Sequence, residues 1–138
     1  MKTCPRCKET KPFSEWHKDK HKKDGVRSYC KVCACAEARS RTKSPKAKFS
    51  NYKAGAKRRG YAFDLTFTEF MSYWKEPCDY CGDAIETIGL DRIDNELGYS
   101  IDNVKSCCFT CNHAKDVMGE AQFLMWIEKV YTHSIINT

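Results

Sequence analysis

The sequence predicts a small, zinc-stabilised α+β protein. Its 138 residues suffice for one or two small domains, and only 41% of them are hydrophobic, which limits the core they can form. Ten cysteines are present, including four CxxC spacings, and small domains with thin cores are usually stabilised by metals or disulfides. Strand-like and helix-like patterns alternate along the second half. No run of 18 apolar residues occurs, so we expect no membrane span.

The cysteines are interpreted as zinc ligands rather than as disulfides. The chain begins MKTCPRCKET, which lacks the apolar segment of a secretory leader, so we expect a cytoplasmic location. Thiols stay reduced in the cytoplasm, and paired CxxC spacings in a reducing compartment are typical of zinc sites.

The first module, residues 1–36, is predicted to bind one structural zinc ion. One CxxC pair is followed by another after 22 residues, and four thiolates complete a tetrahedral shell with no open position for a reacting water. A redox or free-thiol pair is the less favoured alternative. We expect Phe13 and Trp16 to form the small core beside the metal. The predicted zinc ligands are Cys4, Cys7, Cys30 and Cys33.

The charge is divided unevenly between the two halves. Residues 1–60 contain 19 Lys and Arg against 5 Asp and Glu, a net charge of +14, whereas residues 61–138 contain 5 against 13, a net charge of −8. A basic half is typical of proteins that bind a polyanion, and nucleic acid is the obvious one. A helix is predicted from Pro45 to Arg59, ended by Gly60. Its basic residues are assigned to nucleic-acid binding, with a solvated basic helix as the alternative: Lys46, Lys53, Lys57, Arg58 and Arg59.

Pro45 also marks a predicted domain boundary, because proline disfavours a helical conformation in the residue before it. Residues 1–44 are predicted to form an N-terminal zinc-binding module with a basic linker, and residues 45–138 a second domain that begins with the basic helix. Tyr61–Leu65 alternates like a short strand. A capping box of Thr66 and Glu69 then starts a helix. The apolar spacing near the C-terminus predicts a closing helix, packed on the second domain through Phe123, Trp126, Ile127 and Val130.

A second set of cysteines surrounds a predicted strand–loop–strand–helix segment. Two CxxC pairs flank 26 residues, again the spacing of a closed zinc site. Between them, residues 90–94 and 104–107 are predicted to pair as a hairpin, and a helix is predicted to start at Phe109. The predicted ligands are Cys78, Cys81, Cys108 and Cys111.

This segment resembles the HNH (ββα-metal) endonuclease family over about residues 75–119. The family motif has an aspartate–histidine pair on the first strand, an asparagine near the second strand, and CN-x-x-K on the helix. The N-terminal module is similar to the zinc-knuckle extensions of small phage-type HNH proteins, and for a phage-encoded chain the expected cytoplasm is the host's. The matching residues are Asp91-Arg92, then Asn103, then Cys111-Asn112-His113-Ala114-Lys115.

The resemblance implies a catalytic role for several of these residues. Asp91 and Asn112 would bind a catalytic Mg²⁺ or Mn²⁺, since hard oxygen donors suit such an ion. Asn103 would orient the loop by hydrogen bonds, and Lys115 would lie near the phosphate. The cation would act as a Lewis acid on the phosphate and on the departing 3′ oxygen.

Arg92 stands where the family has its general-base histidine. A guanidinium remains protonated and cannot accept a proton, but it can bind a phosphate oxygen through two parallel hydrogen bonds. The base is therefore left open among His113, Tyr99, Asp94, a metal-bound hydroxide and bulk solvent. An imidazole exchanges protons near neutral pH, although a helix turns His113 by about 100° from Asn112.

The predicted function is that of a metal-dependent endonuclease that hydrolyses double-stranded DNA. It would use two structural Zn²⁺ ions and a catalytic Mg²⁺ or Mn²⁺, with no small-molecule cofactor and no membrane partner. A zinc-stabilised DNA-binding or regulatory protein with a degenerate nuclease site is the alternative, and a protein-interaction zinc module of the RING or LIM kind is a third. Oligomeric state is left open. The predicted catalytic residues are Asp91, Arg92, Asn103, Asn112, His113 and Lys115.

Overall fold

The computed structural model describes residues 1–137 and contains two compact units, Met1–Ser44 and Pro45–Thr138. Short helices and three separate two-stranded antiparallel sheets make up both units, which confirms the predicted α+β class. None of the helices in residues 1–137 has the length and apolar character needed to cross a bilayer.

The first unit consists of two small hairpins followed by a helix. Its core contains Trp16 and Val26 packed beside the cysteines of the first cluster. Phe13 was expected in this core and is 46% exposed, because it lies on a one-turn 3-10 helix at the surface. The elements are β1 Lys2–Thr3 paired with β2 Thr10–Lys11, the 3-10 turn Phe13–Glu15, β3 Trp16–Lys18 paired with β4 Val26–Cys30, and α1 Lys31–Thr42.

The second unit surrounds one hairpin with four helices. An apolar cluster forms its core, with seven buried residues from the helices, the hairpin and the connecting loops. The elements are α2 Pro45–Arg58, α3 Phe67–Met71, β5 Leu90–Arg92, β6 Val104–Ser106, α4 Phe109–Lys115, α5 Glu120–Tyr131 and a π-helical turn Thr132–Ile136.

Helix α2, which carries basic residues on its outer side, packs on the core of the second unit with its inner side. Ala56 is fully buried, and Phe49 meets Phe70 edge to face with ring centroids 5.2 Å apart. The hydroxyl of Tyr52 accepts a 3.1 Å hydrogen bond from the backbone N–H of Leu90, the first residue of β5. The inner face of α2 is therefore fixed to the strand that begins the hairpin.

The segment after α2 differs from its predicted form. Instead of a strand at Tyr61–Leu65 there is a single bridge between Phe63 and Tyr99. Two backbone hydrogen bonds hold it, from Tyr99 N–H to Ala62 O and from Asp64 N–H to Tyr99 O. A Cβ at Gly98 would lie 2.3 Å from Ala62 O, so this close approach requires glycine.

Local sequence signals hold better in the helices that follow. The capping box predicted at Thr66 and Glu69 is present, with the Thr66 side chain accepting from the Glu69 N–H and the Glu69 side chain accepting from the Thr66 N–H. The predicted closing helix is only partly correct, because Phe123 is the one buried residue of α5.

The hairpin is shorter than predicted, and past its strands the Ile93 N–H still donates to the backbone carbonyl of Asn103 at 2.9 Å. Strand β5 pairs with β6 through Leu90↔Ser106, Asp91↔Lys105 and Arg92↔Val104. Beyond them, the amide of Asn103 accepts from the Asp94 N–H at 2.9 Å and donates to the carbonyls of Asp94 and Gly98 at 3.0 and 2.8 Å. Asn103 therefore holds together the loop that connects β5 and β6.

Candidate active site and zinc centres

Two four-cysteine clusters have the geometry of closed zinc sites. In each, the four sulfur atoms lie within 4.8 Å of one another. Tetrahedral Zn–S bonds of about 2.3 Å require sulfur–sulfur distances of about 3.8 Å. The Cys7–Cys30 and Cys81–Cys108 sulfurs are 4.0 and 3.7 Å apart, so both clusters could hold zinc.

Each cluster also contains a thiol that is prepared to act as a thiolate. Burial raises the pKa of Cys78, but hydrogen bonds from backbone N–H groups, led by that of Cys108, outweigh burial and bring the pKa to about 6. The pKa of Cys4 is lowered to about 6 in the same way, with Cys30 supplying the leading backbone hydrogen bond. Burial has the opposite effect on one partner in each cluster, since it raises the pKa of Cys33 to about 12 and that of Cys111 above its usual range. Zinc binds the thiolate form, so the amides assist metal binding at Cys4 and Cys78.

The second cluster fixes the strand and helix that carry the candidate site. Cys108 is the N-cap of α4, and its sulfur accepts a hydrogen bond from the Cys111 N–H. The Asp79 N–H, within the other CxxC pair, donates 2.9 Å to Ser106 O on β6. A metal held by these cysteines would therefore connect the hairpin to the first turn of α4.

An open cavity of about 300 Å³ lies where β5 meets α4. It brings together four of the six predicted catalytic residues and Arg59 from the predicted nucleic-acid set. Asn103 and Lys115 do not line it, whereas Asp116 does and was not predicted. The lining residues are Arg59, Leu90, Asp91, Arg92, Asn95, Tyr99, Phe109, Asn112, His113 and Asp116.

Asp91 is a buried carboxylate that contacts two side chains, the hydroxyl of Tyr80 and the ammonium of Lys115. It is 5% exposed; Oδ2 accepts a 3.0 Å hydrogen bond from the Tyr80 hydroxyl, and Oδ1 lies 3.3 Å from the ammonium of Lys115. Burial, followed by the negative charge of Asp91, raises the pKa of Tyr80 above its ordinary range, so its hydroxyl remains a donor. These bonds fix the orientation of the carboxylate at the cavity wall.

Lys115 contacts two residues of the cavity wall. Its side chain is fully buried, and Nζ donates to Asp91 and, at 3.1 Å, to the carbonyl of Arg92. The ammonium is not part of the cavity lining, and it contacts the carboxylate of Asp91, which is. That Lys115 lies near the phosphate stays a prediction. Lys115 lies three residues after Asn112, on a similar side of α4, and its side chain reaches the strand β5 at Asp91 and Arg92.

Arg92 is held in place from two directions. Its guanidinium lies over the ring of Tyr61 at 3.7 Å, and Nη1 donates to the carbonyls of Asn95 and Leu97 at 2.7 and 2.8 Å. Nε and Nη2 have no hydrogen-bond partner among residues 1–137. The guanidinium is therefore oriented before any ligand binds, and the N–H groups of Nε and Nη2 remain available as donors.

Arg59 supplies a second guanidinium to the cavity. Its Nη2 donates 2.9 Å to the Tyr99 hydroxyl, and its Nε donates 3.1 Å to Gly55 O. Neither bond removes its positive charge. The other predicted nucleic-acid residues are exposed on α2, outside the cavity lining: Lys46, Lys53, Lys57 and Arg58.

Two of the three candidate proton acceptors line the cavity. His113 lines it next to Asn112, with its ring stacked on Phe109 at 5.7 Å between centroids. Tyr99 also lines it, whereas Asp94 is absent from the lining, and its carboxylate accepts a hydrogen bond from the Glu96 N–H.

No signal in the sequence pointed to Tyr80 or Asp116. Neither residue belongs to the motif, and the place of each in the site depends on its neighbours in the folded structure.

The donor set at the cavity fits a hard divalent cation. A carboxylate has about four lone-pair positions, so Asp91 keeps free positions after accepting from Tyr80 and Lys115. The Asn112 side chain is exposed and has no hydrogen-bond partner within the part of the chain that the structure describes, and Asp116 adds a second carboxylate. Oxygen donors of this kind are those that Mg²⁺ and Mn²⁺ prefer.

A strand, a loop, a second strand and a helix lie around one four-cysteine cluster, in a mixed α+β chain that carries a second four-cysteine group. Among solved structures, the rare-cutting HNH restriction endonuclease PacI is similar to this chain, at 23% identity and a TM-score of 0.46, over 94% of this chain and 98% of that chain.

One curated relative matches part of the chain. It is an uncharacterized protein of Acanthamoeba polyphaga mimivirus. This chain is 39% identical to it over 72 residues, which is half of this chain and 14% of that protein's length. No protein-family model matches the chain.

Proposed function

We propose that the protein is a metal-dependent endonuclease of the HNH type that hydrolyses phosphodiester bonds in double-stranded DNA. The observation that carries the proposal is a single cavity in which a buried carboxylate, a carboxamide and two guanidinium groups meet. Such a combination suits one task, which is to bind a divalent cation and a phosphate side by side.

Asp91 and Asn112 are the proposed ligands of the cation. Asp91 is oriented by Tyr80 and Lys115, and Asn112 projects from a helix whose first turn is capped by a cysteine of the second cluster. When bound, Mg²⁺ or Mn²⁺ supplies Lewis-acid stabilisation of the charge on the phosphate and on the departing 3′ oxygen.

Arg92 and Arg59 are the proposed phosphate ligands. The stack on Tyr61 and the bonds to two carbonyls hold Arg92 rigid, so little side-chain entropy is lost when its free N–H groups bind phosphate oxygens. Arg59 lines the same cavity. Affinity for the rest of the duplex is assigned to the exposed basic residues of α2.

His113 is the proposed acceptor of the proton from the attacking water. It lines the cavity beside Asn112, and its stacking on Phe109 limits the orientations of the ring. The Tyr99 hydroxyl, the other candidate in the lining, already accepts a hydrogen bond from Arg59. Arg92 then stabilises charge instead of taking a proton.

The proposal is tested by nicking of supercoiled plasmid with Mg²⁺, with Mn²⁺ and with EDTA. Asn112→Ala and Asp91→Asn should each reduce cleavage on the order of 100-fold with zinc content unchanged. Asp102→Asn, a matched change at an exposed carboxylate outside the cavity, should cut like the wild type. Equal cleavage by wild type and both site variants contradicts the assignment.

Arg92 also favours a second candidate, a DNA-binding protein with a degenerate nuclease site, because the position lacks a proton acceptor. The two functions separate in one experiment. Duplex binding measured by fluorescence anisotropy, without cleavage under any of the metal conditions, supports the second candidate.

A further inference from the structure

Tyr99 is close to both guanidinium groups of the cavity. Its hydroxyl accepts a 2.9 Å hydrogen bond from Nη2 of Arg59, and the guanidinium carbon of Arg59 is 6.0 Å from the centroid of its ring. The guanidinium carbon of Arg92 is 5.6 Å from the same centroid. Arg59 follows the last residue of α2, whereas Arg92 ends β5. One side chain therefore adjoins two arginines that different elements supply.

The position of Tyr99 is itself fixed by its neighbours. Its backbone N–H donates to Ala62 O at 2.9 Å, and its carbonyl accepts from the Asp64 N–H at 2.8 Å. The ring meets those of Tyr52 and Phe63 with centroids 6.1 and 5.6 Å apart, and the residue is 5% exposed. A side chain packed in this way has little freedom to change its rotamer, so its hydroxyl stays in one place.

Arg59 depends on this hydroxyl more than Arg92 does. Arg92 is held by its stack on Tyr61 and by two backbone carbonyls. Within residues 1–137, the guanidinium of Arg59 has one hydrogen bond besides that to Tyr99, from Nε to Gly55 O at 3.1 Å. The two like charges also repel each other in the shared cavity, and a hydrogen bond from a charged group to the hydroxyl oxygen offsets that repulsion.

We propose that Tyr99 is a positioning residue for the proposed cleavage, because it holds Arg59 at a distance from Arg92 that lets both guanidinium groups bind one phosphate. Each guanidinium presents N–H groups in a fixed fork, so two of them can bind several oxygens of the same phosphate. Groups oriented before the phosphate binds lose less entropy on binding it. This inference rests on the proposed function, from which it takes the two phosphate ligands.

A double-mutant cycle isolates the role of the hydroxyl. Tyr99→Phe removes one oxygen atom and keeps the ring, and it should lower kcat/KM for plasmid nicking on the order of 10-fold, as expected for one hydrogen bond to a charged group. In Arg59→Met protein the same change should cost less than about 2-fold, because the residue through which the hydroxyl acts is gone. Tyr73→Phe is the matched control, since it removes a hydroxyl from a half-buried tyrosine outside the cavity, and it should cut like the wild type.

The affinity for a DNA duplex gives the same cycle without catalysis. By fluorescence anisotropy without added divalent cation, Tyr99→Phe should weaken binding by about 3–10-fold when Arg59 is present and leave it unchanged in Arg59→Met protein. If no metal condition supports cleavage, the proposed function fails, and the binding cycle alone then decides the role of Tyr99. Equal losses with and without Arg59 overturn the proposal, because the hydroxyl would then act on the nucleic acid or on the fold. So does a Tyr99→Phe variant that cuts and binds like the wild type.

Discussion

Replacing Lys115 by methionine should destabilise the second unit strongly. The ammonium is fully buried and contacts both oxygens of Asp91 at 3.3 Å and the carbonyl of Arg92 at 3.1 Å. Methionine keeps the volume and removes the charge, leaving a buried carboxylate whose hydrogen bond from Tyr80 persists. Loss of one member of a buried ion pair costs about 3–5 kcal/mol.

Urea denaturation of the zinc-loaded protein, followed by far-UV circular dichroism, measures this loss. With a urea m-value of about 2 kcal/mol/M, the midpoint should fall by roughly 1.5–2.5 M. Lys105→Met is the matched control: Lys105 pairs with Glu120 but is 23% exposed, and such pairs contribute about 1 kcal/mol or less. In the double variant Asp91→Asn with Lys115→Met, part of the stability should return.

A midpoint that falls by less than about 0.5 M would refute the reasoning. An equal fall for the Lys115 and Lys105 variants would refute it as well, since the difference in burial is the whole basis of the expectation.

Three further outcomes are expected. The raised pKa of Tyr80 in the folded protein means that deprotonation of this hydroxyl favours the unfolded chain. Stability should therefore decline as the pH rises past the ordinary tyrosine pKa of about 10. Tyr80→Phe should make that decline smaller when urea midpoints are measured between about pH 8 and 11. Arg92→Lys loses the nitrogen that donates to two carbonyls and the further N–H groups proposed to bind phosphate, so it should reduce plasmid cleavage by about 10–100-fold without changing the zinc content. The last change is glutamine at four exposed positions of α2, which are Lys46, Lys53, Lys57 and Arg58. It should lower the slope of log affinity against log salt concentration by about 0.9 for each phosphate that is no longer neutralised. An unchanged slope would mean that α2 does not contact the nucleic acid.

Local chemistry explains which parts of the fold could be predicted. The capping box at Thr66 and Glu69 needs only residues three apart, and Gly60 adopts φ of 79° at the end of α2 as a C-terminal glycine does. The cysteine spacings constrain their own neighbourhood through metal geometry. Each of these signals is complete within a few residues of sequence.

Features that depend on distant neighbours could not be predicted. Tyr61–Leu65 has strand alternation, but the nearest backbone is a loop at Gly98–Tyr99, so only one bridge forms. Lys115 has the position that the resemblance assigns near the phosphate, yet its ammonium is buried against the carboxylate of Asp91 on β5. The spacing of α5 predicts an apolar face without indicating what covers that face.

The hydroxyl of Tyr52 has a mechanical consequence. It joins the inside of α2 to the first residue of β5, while the outside of the same helix carries the basic side chains and the next residue of the strand is Asp91. This bond acts together with the burial of Ala56 and the packing of Phe49 on Phe70 to hold α2 against the second unit. Displacing α2 along its axis would therefore also pull on the strand that carries Asp91, and Tyr52→Phe is the smallest change that removes the direct bond between them.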